Sequence, residues 1–125
     1  MAVTSHPLRT RRVYEPARPG DGVRVLSERL WPRGLRKEDA RIDLWLKEIA
    51  PSPALRQWYG HEPAKWEEFR RRYLAELEDN PDDVGRLRAL LAEGPVTLVY
   101  ASKDERHNST VLLKEWLEQE GRGRR

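Results

Sequence analysis

The chain has no cysteine among its 125 residues. That absence excludes disulfides, a thiolate nucleophile and any metal held by sulfur. Long apolar runs are missing too, and none approaches the roughly 20 residues of a membrane-spanning helix. Residues 1–7 contain no apolar core of a secretory signal, so a cytoplasmic setting is expected. Apolar residues are few, 38% of the chain against 36% charged. Five Trp and four Tyr offset this, since each covers a large area when buried. One domain with a real core is expected over residues 1–125. No internal repeat, low-complexity segment or linker divides it.

An excess of one charge is also lacking once position is considered. The pI of about 9.4 suggests nucleic acid. However, five of the 24 Lys and Arg lie at the ends: Arg9, Arg11, Arg122, Arg124 and Arg125. Residues 12–121 therefore hold 19 basic groups against 21 acidic ones. The body is near neutral, and the basic excess is expected in frayed tails.

Punctuation and periodicity define the elements. Residues 12–14 are expected to open a first strand. The turn-rich loop of residues 15–22 follows, marked by Pro16, Pro19, Gly20 and Gly22. A second strand is expected over residues 23–30, ended by Trp31-Pro-Arg-Gly34. Helices are expected over residues 43–50 and 54–59, the latter opened by the Ser52 cap and Pro53. Trp66, Phe69, Tyr73, Leu74 and Leu77 form one apolar stripe, predicting a helix over residues 64–78. Asn80-Pro-Asp-Asp83 starts another that runs to about Glu93. Residues 96–101 read as the third strand and 108–119 as the last helix. The order implies an α/β fold: a small, mainly parallel sheet flanked by helices, with a helical insert at about residues 36–93 between strands two and three. A crossover of that length joins parallel strands. Arg29-Leu-Trp-Pro-Arg33 should then lie beside residues 102–108, at the sheet edge where open α/β proteins bind ligands.

Those two segments carry the chemistry. Arg29, Arg33 and Lys103, with Asn108 at a helix start, suit a phosphate or carboxylate. The structural alternative is that the arginines pair with Glu28, Asp43 or Asp104 and fasten loops. Asp104 and His107 are spaced to meet across a helical turn, as an orienting carboxylate and an acid–base imidazole do. A cap followed by an ordinary histidine explains the same pattern. Ser102, Ser109 and Thr110 are available hydroxyls, but no Gly-x-Ser-x-Gly elbow is present. His61 and His107, 46 positions apart, belong to no recognised ligand motif, so no metal is expected. Trp45, Trp66 and Trp116 fall on apolar stripes and are expected in the core. Trp31 and Trp58 adjoin polar loops and are candidates to stack on a ring, although core is the plainer reading. Arg70-Arg71-Arg72 has acids at helical pairing distance, which predicts a solvated, salt-bridged face.

Four stretches together resemble the DUF488 family, and most closely its short, cysteine-free YeaO-like branch. They are Arg29-Leu-Trp-Pro-Arg-Gly34, Asp43-Leu-Trp-Leu-Lys-Glu-Ile-Ala-Pro-Ser52, Gly60-His-Glu-Pro63 and Tyr100-Ala-Ser-Lys-Asp-Glu-Arg-His-Asn108. The resemblance covers residues 9–118, with the motifs in order and spacing. It implies a compact α/β fold with a polar site, and neither a reaction nor a cofactor. Ser27 and Glu28 stand where the family often has an aliphatic residue and Asp. Ser109-Thr110 stands where a bulkier or a small apolar residue is frequent.

The resulting expectation is a domain that binds a small anionic or nucleotide-like ligand, with an enzyme among the readings and the cofactor unknown. Arg29, Arg33 and Lys103 would hold the anion and Asp104 would orient His107. Asn108 would donate, while His61 and Trp31 would wall the pocket. The alternative is a nucleic-acid module using the Arg-rich tails and exposed Trp; its signature would be steep salt dependence. A homodimer through Trp-rich helices is a third partner reading.

Overall fold

The computed structural model describes residues 6–123. Four parallel strands form one sheet in the order β1-β4-β2-β3, where β1 is Leu8–Arg12, β2 Val23–Leu26, β3 Leu44–Trp45 and β4 Val96–Tyr100. The helices are α1 (Lys37–Ala40), α2 (Pro53–Tyr59), α3 (Trp66–Glu78), α4 (Pro81–Glu93) and α5 (Ser109–Gly123). The architecture is α/β, as the sequence pattern implied. Among the described residues, no helix is long and apolar enough to cross a membrane.

Central β4 is buried along its whole length, which suits its unbroken Val-Thr-Leu-Val-Tyr run. Its side chains alternate between two cores. Val96 and Leu98, with Val25 of β2, pack against Phe69, Tyr73, Leu87, Leu113 and Trp116. Val99, with Leu26 of β2, packs on the opposite side with Val13, Trp31, Leu35, Ile42 and Trp45. The long helices thus share one core, while the smaller one is closed by loop side chains. Buried hydroxyls of Ser27 and Thr110, 2.9 Å apart, pin the β2 exit to α5.

Three expectations are corrected. The first strand lies at Leu8–Arg12 rather than at residues 12–14, in register with Val96–Tyr100. It has little apolar signal because it is an edge held by main-chain bonds. Val13 extends it by one donation, to the Tyr100 carbonyl at 2.7 Å. Residues 43–50 are not a helix. The Asp43 carboxylate accepts the Arg24 N–H at 2.9 Å, Leu44–Trp45 pairs with β2, and one 3₁₀ turn (Lys47–Ile49) follows. Here edge pairing overrides the helix-compatible spacing. The second strand stops at Leu26, so residues 27–30 belong to the loop beyond it. The insert consequently carries an edge strand as well as helices.

Arg9 and Arg11 are not in a frayed tail. The Arg9 guanidinium donates to the Gly20 carbonyl at 2.6 Å, and Arg11 lies 3.3 Å from the Asp21 carboxylate. The side chains of Arg122, Arg124 and Arg125 lie outside the described residues.

Candidate functional site

The parallel crossover brings the exits of β2 and β4 together, as the order of elements required. An open cleft of about 1230 Å³ lies there. Glu28, Arg29 and Leu30 line it from the β2 exit, and residues 101–104 and 107–109 from the β4 exit. The other wall comes from α2, the His61–Pro63 turn and the start of α3, including Arg56, Tyr59, Trp66 and Phe69.

The β4 exit is organised by its own polar side chains. The Asp104 Oδ1 accepts the N–H groups of Arg106 and His107 at 3.0 and 2.9 Å. Asn108, buried, caps α5: its Oδ1 accepts the Val111 N–H at 2.9 Å and its Nδ2 donates to the Asp104 carbonyl at 2.8 Å. Both donations to Asp104, first the His107 N–H and then that of Arg106, hold its carboxyl below the ordinary value. His107 Nδ1 stands 3.4 Å from Asp104 Oδ2, and its ring meets Trp66 edge-on at 5.1 Å. Asp104 therefore shapes the main-chain turn more directly than it orients the imidazole. Ser102 Oγ accepts the Asp104 N–H at 3.1 Å, which adds to the same turn.

The expected cluster is brought together only in part. Arg29, His61, Lys103, Asp104, His107 and Asn108 all line the cleft. Trp31 and Arg33 do not. Trp31 turns to the smaller core, where it meets Trp45 at 5.5 Å and donates from Nε1 to the Leu35 carbonyl at 2.6 Å. Arg33 is exposed, and its carbonyl accepts the Tyr14 hydroxyl at 2.9 Å. Arg29 is committed to the insert. Its Nε donates to the Pro51 carbonyl at 3.1 Å, and its guanidinium pairs with Glu48 at 2.9 Å. Arg56 and Lys103 are different: among the described residues neither side chain makes a hydrogen bond or ion pair.

His61 sits in the left-handed region at φ 59°, directly after Gly60 at φ 54°, so the chain reverses at the rim. Among the described residues, no group of three or more His, Asp or Glu side chains is disposed to hold a metal ion.

Glu28, Arg56, Tyr59 and Trp66 are the members that spacing did not reveal. Glu28 lines the cleft, with Oε2 accepting the Ala101 N–H at 3.1 Å. Burial pushes its carboxyl above the ordinary value, against the Ala101 hydrogen bond and the nearby Arg56 charge. The sequence signal was its place at the strand exit. Arg56 had none, because nothing local tells which side of α2 faces β4. Trp66, expected in the core, is half-buried and divides itself between core and cleft. Trp58 carries Arg72 at 4.2 Å and Lys65 at 4.9 Å over its ring. Arg71 and Arg72 both pair with Glu68, the salt-bridged face that the run of three arginines implied.

Comparison with known proteins decides the family. A family model described as "Inactive DUF488-N3 subclade" matches residues 7–125. The chain belongs to this family. The DUF488-N3 chain is 41% identical over 110 residues to "Uncharacterized protein YeaO" of Escherichia coli K12, an alignment covering 88% of this chain and 96% of that one. It is 42% identical over 110 residues to "Uncharacterized protein Rv3073c" of Mycobacterium tuberculosis H37Rv, covering 88% and 92% respectively. An uncharacterized protein of Mycobacterium bovis matches to the same extent, 42% over 110 residues with 88% and 92% covered. No solved structure matches the chain.

Proposed function

We propose that this DUF488-N3 domain is a cytoplasmic binding module for a small anionic, nucleotide-like ligand, with recognition rather than turnover as its task. The observation that carries this reading is the pairing of two uncommitted cations, Arg56 and Lys103, with an aromatic wall in one cleft at the carboxyl edge of a parallel sheet. Clefts with convergent polar groups at the carboxyl edge of a parallel sheet are the usual seats of small ligands. Arg56 and Lys103 hold the anionic group beside the first turn of α5. Tyr59 and Trp66, both half-buried and stacked against Phe69, give the cleft an aromatic wall for a flat group to lie against. His61 and His107 stand at the rim as further donors. Asn108 positions the helix start, and Arg29 keeps the residues 48–51 segment in place. Turnover by the Asp104–His107 pair has less behind it, since one Asp104 oxygen is spent on two main-chain N–H groups and the family is described as inactive.

The nucleic-acid alternative loses support because Arg9 and Arg11 are bound into the fold and Trp58 is covered by cations. Calorimetry with nucleoside monophosphates, sugar phosphates and organic acids tests the ligand reading. Binding at about millimolar strength or tighter is expected for at least one phosphate-bearing ligand. Arg56→Ala and Lys103→Ala should each weaken it, and Arg33→Ala should not. Absence of binding across the panel, or equal binding by all three variants, sinks the reading.

A further inference from the structure

The cleft is not simply cationic. Arg29, Arg56 and Lys103 line it together with Glu28, Glu67 and Asp104, and Arg29 is already neutralised by Glu48. A ligand that is anionic throughout does not match this lining. One with an anionic end and an N–H-bearing end does.

Glu28 is the carboxylate best placed for the second end. Its side chain follows the last β2 residues into the cleft and is half-buried. Oε2 accepts the Ala101 N–H at 3.1 Å, whereas Oε1 takes no hydrogen bond among the described residues. An ionised carboxylate offers about four acceptor sites, so most of its capacity is unused. Arg56 is near enough to pull on its proton affinity yet makes no ion pair with it among the described residues. A partly desolvated, underfilled carboxylate discriminates strongly, because a ligand lacking the matching donors leaves the charge unpaired.

Resting on the ligand reading above, we propose that Glu28 sets ligand choice by accepting a pair of adjacent N–H donors, as the lactam edge of a guanine-type purine nucleotide presents, while Arg56 and Lys103 hold the phosphate. Guanine offers a ring N–H and an amino group side by side. Hypoxanthine keeps only the ring N–H. Adenine turns a ring acceptor toward the carboxylate and is disfavoured. The half-buried aromatic wall of Tyr59 and Trp66 suits a purine ring beside that edge. A purely architectural Glu28 makes a different prediction: glutamine could accept the Ala101 N–H equally well.

The test is calorimetry of wild type, Glu28→Gln and Lys103→Ala with guanosine, inosine and adenosine monophosphates. Wild type should favour the guanosine over the adenosine compound by about tenfold or more, with inosine between. Glu28→Gln should compress that preference to less than about threefold, the residue of one weaker neutral hydrogen bond. Lys103→Ala should weaken all three and keep their order. If Glu28→Gln does not fold, Glu28→Asp, whose carboxylate is withdrawn by one methylene, should show the same loss of preference. Equal wild-type binding of the three, or a preference that survives at position 28, overturns the Glu28 assignment and leaves the anion site standing. No binding of any of them by wild type overturns the assignment, and with it the purine form of the ligand reading.

Discussion

The Glu28 carboxylate accepts the main-chain N–H of Ala101 at 3.1 Å, which joins the exit of β2 to the exit of β4. The two strands meet through a group that burial makes reluctant to ionise. A carboxyl whose folded pKa is raised above its unfolded value opposes folding once it is charged. The opposition grows as pH rises through the unfolded value and is complete above the folded one. Glu28→Gln should therefore raise the melting temperature at neutral pH, and the gain should vanish in acid below the ordinary carboxylate range. Thermal denaturation across pH 3 to 8 decides this. A variant less stable than wild type throughout that range is the contrary result.

Asp21 shows the opposite sign. It is 2% exposed, accepts Arg24 at 2.7 Å and the Arg18 N–H at 3.1 Å, and faces Arg11 at 3.3 Å. Burial alone would raise its pKa, but the Arg18 N–H and the guanidiniums of Arg24 and Arg11 together hold it below the usual value. Its contribution to stability is present above the unfolded pKa and is lost as pH falls through the folded one. Asp21→Ala should cost about 3–5 kcal/mol, because Arg24 is left buried without its partner. Urea denaturation at pH 7 measures the loss. It should shrink in acid, where the wild-type carboxylate is neutralised too.

Ser27 and Thr110 bury their hydroxyls against each other at 2.9 Å. Ser27→Ala or Thr110→Val alone leaves one hydroxyl unsatisfied and should cost about 1–3 kcal/mol. The double variant should cost less than the two single ones added together, since no orphan group remains. A double-mutant cycle with no coupling contradicts this account.

Gly22 has φ 68°, and a Cβ there would overlap the Pro95 carbonyl oxygen. Val23 donates to that same oxygen at 3.0 Å, so the segment cannot back away without losing the bond. Gly22→Ala should destabilise by about 3 kcal/mol or more through backbone strain and overpacking, read by chemical denaturation.

Asp104 works through the turn that it caps. Asparagine can accept the same N–H groups, so Asp104→Asn should keep ligand affinity within about threefold of wild type. Asp104→Ala frees the turn that carries Lys103 and should weaken binding at least about tenfold. Equal losses for the two variants would instead favour a role for the Asp104 charge itself.

Much of the frame was legible because it rests on local signals. The Ser52-Pro53 and Asn80-Pro81 starts, the Trp66-to-Leu77 stripe and the Val96-to-Tyr100 run each depend on neighbours in sequence, and each element formed there. Edge strands were less legible. β1 is Leu-Arg-Thr-Arg-Arg, and only its register against β4 makes it a strand. Residues 43–50 carried a helical spacing that pairing with β2 overrode. In the cleft, the Asp104-to-Asn108 turn could be anticipated because its bonds span four residues or fewer. Arg56 could not, since its place depends on how α2 packs across the sheet edge.

The sequence by itself determined the α/β class, the parallel crossover, the family and the two strand exits that meet. These follow from periodicity, capping and motif order, which act over short stretches of chain. Only the tertiary structure decided which cations remain free. It committed Arg29 to Glu48 and the Pro51 carbonyl, turned Trp31 into the smaller core, and brought Arg56 to Glu28 from 28 residues away in the chain. The physical reason is that a charge is defined by its partners, and partners across a sheet edge are chosen by packing rather than by sequence distance.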